Sequence, residues 1–121
     1  MEHKAPILLS FYALSNGHTA LVFGQLTYTR LKDLSFKEYS RRKTFRTLFH
    51  LYQTRPYANQ LIRLVFDIHT LEVKTDSSGG FYMKTSIPAT AILQKVQMAS
   101  GEEVKLVEGL YPRHVQLITS D

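Results

Sequence analysis

A chain of 121 residues with 44% hydrophobic side chains, seven Tyr and seven Phe can bury one real core, and a single domain is expected. It has no cysteine, which excludes disulfides, thiolate nucleophiles and cysteine-ligated zinc or iron–sulfur sites. The net charge is +5, and all of it falls between Lys37 and Arg55, where six basic side chains face Glu38 alone; the rest of the chain sums to zero.

Lys4 followed by "APILLSFYAL" faintly imitates a secretion signal, but Glu2 interrupts the charged region and the apolar run is short. The ordinary reading is a first strand, with a cytoplasmic or peripheral membrane location. No apolar run approaches the roughly 20 residues of a membrane-spanning helix. Ile7 to Leu14 and Ala20 to Thr29 flank "SNGH", and Asn16-Gly17 is a hairpin signal. The next segment, "SFKEYSRRKTFRTLFHLYQTRP", breaks the period-two rhythm. Phe45, Leu48, Phe49 and Tyr52 fall at helical spacing, which predicts one amphipathic helix near 36–54, capped at Ser35 or Ser40 and stopped by Pro56. Lys43, Arg46 and His50 lie opposite that apolar stripe.

Period two then returns. In "LIRLVFDI", Ile62, Leu64, Phe66 and Ile68 share a face, and "LEVKT" places Leu71 and Val73 inward. "FYMKTSI", "AILQKVQM", "EVKLVE" and "RHVQLIT" follow, separated by Pro88, Ser100-Gly101 and Gly109 to Pro112. Short strands punctuated by turns predict an all-β antiparallel sandwich of about seven strands, prealbumin-like or Ig-like, with the helix inserted. Its expected core includes Leu9, Leu21, Phe23, Phe45, Leu48, Phe49, Leu64, Phe66, Val73, Phe81 and Val115.

The stretch "TDSSGGFYMKTS" looks most like chemistry. A phosphate loop would lead from its glycines into a helix, whereas these lead into a strand pattern. A calcium loop needs several acidic ligands, and only Asp76 is present. A hairpin turn accounts for every residue: Asp76 accepts backbone hydrogen bonds, Gly79 or Gly80 takes a positive φ, and Phe81 re-enters the core. Asp67 and His69, two apart, would share a strand face as part of a metal site, but a third ligand would have to come from His3, His18 or His114 through the fold. No Gly-x-Ser-x-Gly elbow occurs. No catalytic residue, metal or cofactor is expected; the rival enzymatic reading is a hydrolase that carries no recognisable motif. The basic segment is the one candidate binding element: Arg42, Lys43, Arg46, His50 and Arg55 suit anionic surfaces, phospholipid before nucleic acid, since no RNP-type motif accompanies the charge.

Taken together, "ILLSFYALSNGHTALVFGQL", "SRRKTF", "LVFDIHTLEVKTDSSGGFY" and "VQLITSD" resemble the N-terminal domain of the actin-patch-type phosphatidate phosphatases and their bacterial relatives. The motif T-D-x-x-G-x-F also occurs in prealbumin-like and carboxypeptidase-regulatory sandwiches. The resemblance covers essentially the whole chain. It implies a non-catalytic accessory module whose partner is a phosphatase domain opening near "I-S-D-I-D-D-T". That family's aspartyl-phosphate chemistry belongs to a D-x-D-x-T motif which this sequence does not contain, so no catalytic residue carries over.

Overall fold

The computed structural model describes residues 4–30 and 54–118. Nine strands make up a single curled sheet: β1 (Lys4–Ser15), β2 (Ala20–Arg30), β3 (Arg55–Pro56), β4 (Leu61–Phe66), β5 (Thr70–Lys74), β6 (Gly80–Thr85), β7 (Leu93–Met98), β8 (Glu103–Leu106) and β9 (Gln116–Leu117). The order is β3-β2-β1-β8-β7-β4-β5, with β6 also on β2 and β9 also on β1. The result is a half-barrel that begins at β6, runs through six successive ladders and ends at β5.

This corrects the antiparallel two-sheet sandwich. β8 and β9 both pair with β1 in parallel, Ile7 opposite Lys105 and Leu14 opposite Gln116. β1 has 12 residues, long enough to accept β8 at one end of its free edge and β9 at the other. The β1–β8 ladder joins into one sheet what would otherwise be two. Alternating burial cannot reveal this, because a strand in a sandwich and a strand in a curled sheet both bury every second side chain. Among the described residues there is no helix. The predicted helix near 36–54 lies outside them apart from Thr54, which has no regular structure. Arg55, assigned to the end of the basic helix, is instead the first residue of β3. Pro56 explains this, since the residue before proline is driven from helical to extended backbone.

The inner face is filled by Phe11, Phe66, Phe81 and Tyr111, with Phe11 6.2 Å from Phe66 and 6.4 Å from Tyr111 between ring centres. Large rings in a narrow concavity require small neighbours, and Ala13, Ala20, Gly24 and Ala91 supply them. A Cβ on Gly24 would strike the Ser10 carbonyl and come within 2.8 Å of the Phe81 ring. The expected core is therefore right at Leu64, Phe66, Phe81 and Val115, and Val73 packs against it partly buried. It is inverted on the first hairpin. Ile7, Leu8, Phe11, Val22 and Leu26 are buried there, while Leu9, Leu21 and Phe23 are only half-buried. A bulge between Leu8 and Ser10 shifts the alternation of β1, and on β2 the larger residues, which look like core, face outward. Ile68 is exposed in the β4–β5 turn rather than continuing the inward face of β4. Phe45, Leu48 and Phe49 lie outside the described residues.

Tyr111 closes the gap between β8 and β9 along β1. Its hydroxyl donates to the Leu8 carbonyl at 2.7 Å and accepts from the Val107 amide at 3.0 Å, and burial pushes its pKa up. Tyr111→Phe keeps the ring but leaves both backbone groups without this partner. A loss of about 1–3 kcal/mol is expected in urea denaturation, the cost of unsatisfied buried polar groups.

Candidate functional site

The motif that looked most chemical is a piece of architecture. Thr75 is buried; its hydroxyl donates to the Tyr57 carbonyl at 2.7 Å and accepts from the Gln60 amide at 2.8 Å, fixing the 57–60 loop. Asp76 Oδ1 accepts from the Ser78 amide at 2.8 Å, the Ser78 hydroxyl at 2.7 Å and the Gly80 amide at 3.0 Å. Gly79 takes φ +80° and its carbonyl accepts from the Leu26 amide at 2.8 Å, docking the turn on β2. Phe81 enters the core. β5 and β6 then diverge to opposite ends of the half-barrel, so the turn is not the base of a regular two-stranded hairpin.

The Ser78 hydroxyl and amide, assisted by the Gly80 amide, hold the Asp76 carboxyl below the usual carboxylate range. Because the folded pKa is depressed, the stabilisation is present above the unfolded value of about 3.9 and is lost as pH falls through the folded value. Asp76→Asn should lower the melting temperature at neutral pH, and the gap from wild type should narrow below about pH 4. Thermal melts across the acid range measure this directly.

The strand directions sort the remaining candidates onto two ends of the molecule. β1, β4, β6, β8 and β9 run one way, and β2, β5 and β7 the other. At one end lie the turns 16–19 and 67–69, the 86–92 connection and β9. Asp67 and His69 sit here in a turn, not on a strand face. Asp67 accepts from the Ile92 amide at 3.2 Å, and the His69 carbonyl accepts from the Phe66 amide at 2.7 Å. His18 and His69 line an open cleft of about 470 Å³ with Ser15 and the 86–89 segment. His114 is bridged to Ile92 instead, and His3 lies outside the described residues. Among the described residues, no three His, Asp or Glu side chains gather as a metal-binding group.

At the other end the basic segment is rooted. Arg42, Lys43, Arg46 and His50 lie outside the described residues, and Arg55 is exposed on β3. Backbone register sets Lys4 opposite Arg30 and Tyr28 opposite Arg55, so three basic residues border the entry and exit of residues 31–54. Lys4 Nζ lies 4.9 Å from the Tyr28 ring centre and 5.9 Å from that of Tyr57. Burial, then Glu102 and Tyr28, raise the Tyr57 pKa. With β1 rising about 3.3 Å per residue over its 12 residues, the two ends stand roughly 36 Å apart.

No family model, curated protein or solved structure matches the chain at a significant level. No helix among the described residues is long and apolar enough to cross a membrane.

A further feature escaped the sequence reading. On the outer face, Tyr12, Phe23 and Tyr82 form one row across β1, β2 and β6. The sequence does carry a signal for it in the repeated dipeptide Phe11-Tyr12 and Phe81-Tyr82. In each pair Phe is buried and Tyr exposed, as strand alternation requires. The Tyr12–Phe23 pair, with ring centres 5.3 Å apart and planes at 27°, adds roughly 0.2–1 kcal/mol of cross-strand stabilisation.

Proposed function

We propose that this chain is a non-catalytic β-module that works beside a phosphatidate-phosphatase-type catalytic domain. The observation that carries the reading is the way T-D-x-x-G-x-F is used. Thr75, Asp76, Gly79 and Phe81 each hold the fold, so the motif on which the resemblance rests marks an architecture rather than a reaction. The test is a screen of the purified chain against phosphatidate and generic phosphomonoesters, with divalent metal supplied. No turnover is expected. Metal-dependent turnover that follows the protein through purification overturns the reading. Reading the encoding DNA past Asp121 adds a second check, because a D-I-D-D-T sequence there supports an accessory domain.

A second reading is favoured by the charge distribution. The excess of +5 lies within 37–55, and Lys4 and Arg30 stand in register at the root of that segment. On this reading Arg42, Lys43, Arg46, His50 and Arg55 attach the module to an anionic lipid surface. Each basic side chain near such a surface contributes about 1 kcal/mol, so removing three cations should weaken binding on the order of a hundredfold and reversing their charge should weaken it further. Co-sedimentation with anionic vesicles, comparing wild type with an Arg42/Lys43/Arg46 to Glu variant at low and high salt, measures it. Equal sedimentation of the two proteins eliminates this role for the segment.

A further inference from the structure

We infer that the outer face of β1, β2 and β6 is a docking face for an anionic lipid surface, seated on Tyr12, Phe23, Tyr82 and Lys84. This shares a ligand class with the second reading above but uses different residues, and neither depends on the other.

The face is defined by register. Tyr12, Phe23 and Tyr82 form one row, and Leu14, Leu21 and Lys84 form the next. Tyr12 is 40% and Tyr82 63% exposed, while Phe23, Leu14 and Leu21 are half-buried. Exposed aromatics grouped with aliphatic side chains on one sheet face are what an interaction surface presents, and scattered single residues are not.

Charge selects the partner. β1, β2 and β6 contain no Asp or Glu, and of their charged residues Lys84 falls in the outer rows beside Tyr82, whereas Lys4 and Arg30 pair at the opposite end of these strands. Lys84 lies two residues beyond Tyr82, on the same side of β6, and its side chain is exposed. The other half of the sheet differs, since Glu72 and Glu103 are interspersed there with Arg63, Lys74, Lys95 and Lys105. An anionic surface therefore meets one cation, Lys84, beside the aromatic row and no carboxylate from these three strands.

Ring geometry separates a lipid surface from single-stranded nucleic acid. Bases stack on the open faces of aromatic rings. Tyr12 and Phe23 are stacked on each other, which spends one face of each ring within the pair. A bilayer makes no such demand. Tyrosine belongs at the level of lipid headgroups, its ring in the apolar boundary and its hydroxyl in water, with a neighbouring lysine extended to the phosphates.

The chain has no tryptophan, so a single one reports its own position without ambiguity. Tyr82→Trp places it on the proposed face, and Gln94→Trp on exposed β7 serves as the control. With phosphatidylcholine vesicles containing phosphatidylserine, the emission of Trp at 82 should shift to the blue and that at 94 should not. Neither should respond to phosphatidylcholine alone. In the 82 reporter, Lys84→Gln should weaken partitioning about fivefold, the effect of one surface cation. Tyr12→Ser should weaken it further with the thermal transition retained. The Arg42/Lys43/Arg46 to Glu background separates the two readings, because a blue shift that survives there belongs to this face. Three results overturn the proposal: no shift at low salt; sedimentation with vesicles while the 82 reporter stays unmoved; or an 82 reporter quenched by a single-stranded oligonucleotide and indifferent to vesicles.

Discussion

Replacing Phe11 with Ala is expected to cost about 3–5 kcal/mol, the range for removing a large buried ring. Phe11 is completely buried at the centre of the concave face, in contact range of the Phe66 and Tyr111 rings. It belongs to β1, which pairs with β2, β8 and β9 and so holds both halves of the half-barrel. Collapse into the vacated space would have to bend that strand, so the cavity should stay largely open. Domains of this size are stable by only about 5–15 kcal/mol, so the variant should sit near the limit of folding. Urea denaturation gives the number, with a lower midpoint and an unchanged slope as the expected result. Phe11→Leu should recover more than half of the loss, because most of the volume returns. Equal losses for the two variants would show that ring packing is not what Phe11 contributes.

The second large effect is expected at Gly79. Its φ of +80° already disfavours any other residue, and a Cβ there would strike the Leu26 carbonyl and lie 3.0 Å from the Tyr57 amide nitrogen. Neither neighbour is free to yield. The Leu26 amide donates to the Gly79 carbonyl, and the Leu26 carbonyl accepts from Tyr57. Backbone strain of about 1–3 kcal/mol and the lost turn bonds should together cost at least about 3 kcal/mol in Gly79→Ala. Gly80→Ala is the internal control. There φ is not positive, and the nearest contact a Cβ would make is the Asp76 carboxylate at 3.4 Å. It should be neutral or slightly stabilising, since alanine restricts the unfolded chain. A Gly79→Ala variant as stable as Gly80→Ala would refute the docked turn.

These two positions show where legibility in the sequence ended. The turn at 75–81 could be read residue by residue, because Asp side chains capping amides and glycine at positive φ are local effects spanning a few residues. The same holds for the Asn16 hairpin, where Asn16 Oδ1 accepts from the His18 and Thr19 amides at 2.9 Å each. The inward face of β4 was equally plain, with Ile62, Leu64 and Phe66 alternating against exposed Arg63.

By itself, then, the sequence determined the all-strand character of the described residues, the positions of the turns, and the concentration of positive charge in 37–55. It did so because alternation, turn chemistry and charge are written within short windows. Only the tertiary structure decided that the strands form one mixed, curled sheet, since that depends on β8 and β9 meeting β1 across long separations. It alone decided which face of the first hairpin is interior. A one-residue bulge reverses the alternation of β1, and the volume of Phe11, Phe66 and Phe81 reserves positions 20 and 24 on the inside of β2 for Ala and Gly. The row of Tyr12, Phe23 and Tyr82 is a consequence of that inversion: residues 11 and 59 positions apart in the chain become neighbours only when β1 and β6 flank β2. Strand order is set by the packing of the whole core, and no window of sequence contains it.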